Sequence, residues 1–137
     1  MCPSRGGRLR LVFTPVKSAS VLWALGDPDV RTAVEAAHHE AVETTMGWVE
    51  QHAAYTRTGH AGAAQVDTTG LVCAASDHRE SRSSDPDLHT HVAVANKICG
   101  LDGNWRSLDA RACTRSGWRR LSATARGSRM RCPAGSA

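Results

Sequence analysis

The sequence predicts an α/β (α+β) fold, a two-layer sandwich in which an antiparallel sheet carries one long amphipathic helix. Three observations predict it. A short alternating run, Leu9-Arg10-Leu11-Val12-Phe13, stands near the start. A capped stretch of helical period follows, from Asp27 to about Ala54. Two β-prone runs then come in succession, Val66 to Ala75 and Leu88 to Ile98, with a polar loop between them. Strand, helices and then paired strands is the order of such a sandwich. At 137 residues the chain can enclose one modest core and not two.

The elements can be justified in order. Leu9 to Phe13 reads as a strand that Pro15 halts. Ser18 to Leu25 is a short apolar segment, two helical turns long, that Gly26 ends. Asp27-Pro28-Asp29 is a helix start: Asp27 can cap, Pro28 suits the first turn, and Asp29 faces the positive end of the helix dipole. Val30, Val34, Ala37, Ala41 and Trp48 recur at near-helical spacing, with Glu35, Glu40 and Glu43 on other faces. A Gly-rich connection, Thr58 to Gly62, leads to the first β-prone run. Asp85-Pro86 marks the turn in the loop from Arg79 to Asp87, and Asp102-Gly103 reads as a hairpin turn before Trp105.

Charge and cysteine usage bound the function classes. Residues 112–137 carry six arginines and no acid, and the residues before Leu11 carry three arginines and no acid. The body between them holds eight Lys/Arg against all thirteen acids, so the basic charge belongs to the ends. We divide the chain into an irregular start (1–8), a folded region (9–111) and a basic, disordered tail (112–137). Such a tail can touch DNA phosphates without reading sequence, or it can simply be solvated. Five cysteines at irregular spacing, without a C-x-x-C pair, fit neither a disulfide scaffold nor a thiolate zinc site. No run is long and apolar enough for a membrane span, and no secretory signal follows the basic start. A soluble protein of a reducing, cytoplasmic compartment is expected.

Histidines carry the chemistry. In a strand, His89 and His91 point to the same side, about 7 Å apart. If Ser76 and its neighbours pair antiparallel with that strand, His78 arrives beside them. Three converging imidazoles leave positions open on a divalent cation, as a catalytic site requires. Spacing alone leaves two readings level, a metal site and a polar strand face. His38, His39, His52 and His60 read as solvent-facing. Trp23 and Trp48 read as core residues, and Tyr55 as a packing aromatic at the end of the long helix.

The run Asp77-His78-Arg79-Glu80-Ser81-Arg82, with Asp85-Pro86-Asp87-Leu88-His89-Thr90-His91-Val92-Ala93-Val94-Ala95-Asn96-Lys97 after it, resembles the histidine-triad motif of MobF-type (TrwC-like) conjugative relaxases, which are HUH endonucleases. Flanking matches stand in the family's order: Phe13 to Ser18, Val21 to Leu25, Tyr55-Thr56-Arg57, Asp102 to Arg106 and Leu108 to Arg111. The resemblance covers residues 9–111 and implies an incomplete relaxase-like core. It implies that His78, His89 and His91 hold a divalent cation (Mg2+, Mn2+ or Zn2+) that polarises a scissile phosphate of single-stranded transfer-origin DNA in plasmid conjugation. Lys17, Arg82 and Trp105 are the candidate DNA contacts, two for phosphates and one for base stacking.

The sequence also departs from the family. No catalytic residue is assigned, because the nucleophilic tyrosines of the family lie upstream of the first matched segment. Arg10 stands where the family places an aspartate, and a guanidinium neither accepts a proton nor attracts a cation. Past Arg111 the change to Arg, Ser and Gly reads as a frameshift. These departures predict a relaxase fragment that keeps metal binding and single-stranded DNA binding and does not nick, with a sheet edge exposed to self-association. The alternatives are a non-enzymatic, basic-tailed interaction protein and a metallohydrolase of another fold. A histidine-triad nucleotide hydrolase wants a further histidine where Ala93 stands, and a cupin wants a glutamate where Asn96 stands.

Overall fold

The computed structural model describes residues 9–109 and the backbone of residues 128–131. The irregular start and the rest of the basic tail lie outside the described residues. In chain order the elements are β1 (Leu9–Pro15), α1 (Lys17–Leu25), α2 (Pro28–Ala53), β2 (Tyr55–Thr58), β3 (Ala64–Asp67), β4 (Cys73–Glu80), β5 (Pro86–Val94), β6 (Ile98–Cys99), β7 (Trp105–Arg106) and β8 (Ser128–Arg131).

The main sheet has the order β4-β5-β1-β8, and each neighbouring pair is antiparallel. Alternation along β1 and β5 sorts the two faces. Leu11 and Phe13 of β1 and Leu88, Thr90, Val92 and Val94 of β5 are buried towards the helix layer. Arg10, Val12, His89, His91 and Ala93 occupy the other face, because side chains one residue apart point to opposite sides. Leu11, Phe13, Val92 and Val94 join Val42, Val49, Ala53 and Ala54 of the helix layer in the core cluster, with Ile98 and Leu108.

Both helices begin and end where local chemistry dictates. Gly26 closes α1, and a Cβ there would meet Val30 Cγ1 at 2.6 Å and the Leu22 carbonyl oxygen at 2.7 Å. The Asp27 carboxylate then caps α2, accepting the Val30 N–H at 2.9 Å. The Ser20 hydroxyl oxygen, fully buried, accepts the Leu88 N–H at 3.1 Å and ties α1 to the start of β5. None of the described helices is long and apolar enough to cross a membrane.

Several elements differ from expectation. The buried positions of α2 are His38, Val42, Val49 and Ala53, so the inward face is displaced by about one residue from the expected stripe. Ala37 of that stripe is exposed; its one methyl offers little apolar area, and the hydrogen bond made by His38 rotates the helix the other way. Tyr55 does not end the helix: it opens β2, which pairs with β3 in a separate hairpin. The run expected over Val66 to Ala75 is broken after Asp67. Gly70 there has φ +132°, open to glycine, and Glu50 Oε1 accepts the Leu71 N–H at 2.8 Å, turning the chain before β4. The second run begins earlier, at Pro86, and pauses after Val94, so that Ile98 falls in the small β6–β7 ribbon.

Candidate metal centre

The three histidines meet on the open face of the β4–β5 hairpin. His78 and His89 are direct cross-strand partners, and Ser76 lies opposite His91. The ligand-capable nitrogens of all three lie within 4.8 Å of one another. Ring centroids stand 5.2 Å apart for His78–His89, 4.8 Å for His78–His91 and 5.0 Å for His89–His91. Tetrahedral metal–nitrogen bonds of about 2.0–2.1 Å set such donors roughly 3.3 Å apart, so binding would draw the three nitrogens together by up to about 1.5 Å. His78 is exposed, while His89 and His91 are half-buried, so the cluster is rooted in the sheet and open to solvent.

The protonation chemistry fits a cation. His89 Nδ1 lies 2.8 Å from the Asp87 carbonyl oxygen, which can only accept, so Nδ1 carries the proton and Nε2 presents its lone pair. The His91 pKa is lowered from its ordinary value, first by burial and then by the charges of His89, His78 and Arg10. That holds the ring neutral, the form that binds metal. His91 Nδ1 is buried and finds no hydrogen-bond partner among the described residues. Arg10, opposite Ala93 in the β1–β5 register, stands on the same face and adds positive charge beside the cluster. The donor set therefore suits a divalent cation, in a positively biased surround.

The other expected residues fall around this centre unevenly. Lys17 Nζ donates to the Pro86 carbonyl oxygen at 2.8 Å, fastening α1 to the start of β5 close to His89 in sequence. Arg82 is exposed in the turn between the two histidine-bearing strands. Trp105 is 61% exposed on β7, in a different ribbon from the triad. Tyr55, half-buried in β2, is also outside the histidine sheet. Trp23 is half-buried, its indole N–H donating to Glu35 at 2.9 Å, and the Arg31 and Arg79 guanidinium groups stand 5.7 Å and 5.9 Å from its ring. Trp48 packs on the core and stacks on His52 with centroids 4.5 Å apart.

Two histidines read as solvent-facing do more than that. His38 is 5% exposed, and its Nε2 lies 2.8 Å from the Thr90 hydroxyl. His39 is exposed, yet its Nε2 lies 2.8 Å from Asp77 Oδ2. The missed signal was the spacing of His38 with Val42, Val49 and Ala53, which places an imidazole on the helix's inward face.

Comparison with known proteins shows what the chain is similar to in sequence and fold. The TrwC relaxase family profile matches residues 9–122. The Escherichia coli multifunctional conjugation protein TraI is 38% identical over 109 residues, which are 79% of this chain and 6% of that protein. A TraI from Escherichia coli strain K12 is 36% identical over the same length. Among solved structures, the copper-bound conjugative relaxase TrwC in complex with oriT DNA is 33% identical, with a TM-score of 0.70, over 83% of this chain and 38% of that one. A metal-bound TrwC–oriT structure is 30% identical, with a TM-score of 0.71, over 90% of this chain and 42% of that one. TrwC with a 27-mer DNA comprising the recognition hairpin and the cleavage site is 31% identical, with a TM-score of 0.69. The chain thus spans 6% of the length of its curated relatives and about two fifths of the solved chains.

Proposed function

The chain belongs to the TrwC relaxase family, and from that premise we propose that His78, His89 and His91 hold one divalent cation against a phosphodiester of single-stranded DNA. The convergence of three imidazole nitrogens on one open sheet face carries this reading. Three neutral nitrogen donors favour zinc or manganese over magnesium by intrinsic affinity. A cation so held acts as a Lewis acid, offsetting charge on the phosphate oxygens. His89 presents Nε2 because Asp87 fixes its tautomer, His91 stays neutral by burial, and His78 closes the set from the neighbouring strand. Lys17, Arg82 and Trp105 are assigned to the DNA, the first two to phosphates and Trp105 to a base. The exposed Arg82 and Trp105 are free to make such contacts as they stand, whereas Lys17 would share its ammonium with Pro86.

Nicking by attack of a tyrosine hydroxyl is not assigned to this polypeptide by itself. Its single tyrosine is Tyr55, in a hairpin outside the triad's sheet. The function proposed is metal-dependent engagement of transfer-origin DNA in plasmid conjugation, in the bacterial cytoplasm, without strand transfer. The sheet edge at β4 is proposed as a self-association surface. A frameshift in the tail is proposed for the coding DNA to test: the family match runs on to residue 122, which speaks against a frame change at Arg111 itself, and another frame continuing the apolar pattern would support the reading.

The test is calorimetric titration of Mn2+ and Zn2+ into the wild type and into the His89→Ala/His91→Ala variant, with circular dichroism confirming the fold. One site per chain, lost in the variant, is expected. Binding by the cation-loaded protein should favour single-stranded over duplex origin DNA, without a covalent protein–DNA product. A folded wild type that binds neither ion would overturn the metal reading, and cation-dependent cleavage would overturn the assignment without nicking.

A further inference from the structure

Behind the triad, on the helix side of the same two strands, lies a second polar construction. Asp77 and Thr90 are direct cross-strand partners, Asp77 preceding His78 and Thr90 standing between His89 and His91. The Thr90 hydroxyl donates to Asp77 Oδ1 at 2.6 Å. Its single proton is thereby committed, so its oxygen accepts from His38 Nε2–H at 2.8 Å. On the other side, His39 Nε2 reaches Asp77 Oδ2 at 2.8 Å. His38 to Thr90 to Asp77 to His39 is therefore one chain of hydrogen bonds that leaves α2, crosses both ligand-bearing strands and returns to α2.

The setting of the two strands bears on what such a chain could do. All eight residues of β4 are exposed, so no side chain of that strand anchors it by apolar burial. It is also the outer strand of the sheet, held by β5 on one side. The ladder between them loses register just after His78, where a bulge separates His78 from Glu80. His78 thus sits at the end of a regular ladder on an outer strand without apolar burial, while His89 and His91 sit on a central one. Thr90 and His38, in contrast, are almost fully buried, at 1% and 5% exposed. A hydroxyl and an imidazole hidden there carry a desolvation cost unless they are paired, so their pairing geometry is enforced.

We propose that His38, Thr90 and Asp77 are positioning residues for the metal cluster, locking the His78 strand to the His89/His91 strand from behind. The proposal rests on the reading that the triad holds a cation. Asp77 fixes the twist of β4 one residue before its ligand. Thr90 holds β5 between its two ligands, and His38 refers both to the rigid helix. No proton moves in this arrangement: neutral His38 donates through Nε2, and its Nδ1, which has no partner among the described residues, stays the bare nitrogen.

The experiment uses Co2+ alone as the probe, on the 137-residue chain. Affinity is read by calorimetry and coordination by the visible d–d spectrum of the ion. Thr90→Val keeps the side-chain shape and removes the hydroxyl; Thr90→Ser restores it. Val42→Ala, a core substitution elsewhere on α2, serves as the control for lost stability. Thr90→Val is expected to weaken Co2+ binding by about tenfold or more, as loss of supporting contacts to ligands does, and to alter the spectrum. Thr90→Ser should recover both, and Val42→Ala should change neither. If Thr90→Val does not fold, Asp77→Ala, at a partly exposed position, takes its place with the same expectation. Wild-type affinity and spectrum in a folded Thr90→Val or Asp77→Ala protein would overturn the positioning role, as would equal weakening by Val42→Ala. Absence of Co2+ binding in the wild type would instead overturn the metal reading on which the proposal stands.

Discussion

At the scale of single residues, two side chains set the electrostatics of the triad and of the layer behind it. Arg10 places a fixed positive charge on the face where the three histidines converge, beside His91. It is solvent-exposed, so screening limits its effect. Arg10→Ala should tighten Mn2+ binding by roughly two- to fivefold, the range of an exposed charge pair, and the gain should shrink in high salt; unchanged affinity in low salt would count against a charge effect. His38 acts through burial. Its pKa is lowered from the ordinary 6.5, first by desolvation and then by the charge of His39, with Asp77 opposing them and His89 adding to the lowering. The unfolded chain takes up this proton near 6.5, and the folded chain takes it up only at lower pH. Below that value the unfolded state therefore binds more protons, so the stability contribution is whole above 6.5 and is lost as pH falls through and beneath it. Thermal unfolding in chelator between about pH 7.5 and 5.5 should show this decline, and His38→Gln should flatten it. An equally steep decline in His38→Gln would assign the effect to other groups.

Elements divide into those that hold themselves and those that are held. The long helix α2 is specified by its own cap, its proline and its inward stripe, and it was legible from residues 27–54 alone. Strand β5 was equally clear, because its alternation is clean from Leu88 to Val94. The β2–β3 hairpin was not, since Tyr55-Thr56-Arg57-Thr58 has no strong alternation and its partner supplies the pairing. There Thr56 is buried by a long-range contact, its hydroxyl donating to the Ser107 carbonyl oxygen at 2.9 Å. Strand β4 shows the opposite case: without one buried residue, it exists because β5 pairs with it. Among the described residues no strand pairs with its outer edge, which is then a template for another strand. Concentration-dependent dimerisation in sedimentation experiments is the expected result, and Ala75→Lys on that strand should suppress it. A monomer at every accessible concentration would mean that the edge is already protected.

For the whole molecule, the sequence carried the architecture and the convergence of the three histidines, but not the polar layer behind them. The sandwich, the antiparallel pairing of the histidine strands and the grouping of His78, His89 and His91 follow from local pattern and resemblance. The layer of His38, Thr90 and Asp77 depends on which way α2 is rotated against the sheet, and that is a tertiary decision that propensity does not encode. Apolar periodicity gives no weight to histidine, so the inward face was placed one residue away. The hairpin organisation of the centre has a further consequence for inheritance. All three imidazoles come from one continuous stretch, residues 78–91, with two on one strand and the third on its neighbour, directly across from His89. A centre written so compactly can travel as a single cassette. Recombination that exchanges the sequences on either side would leave these three side chains together on one hairpin.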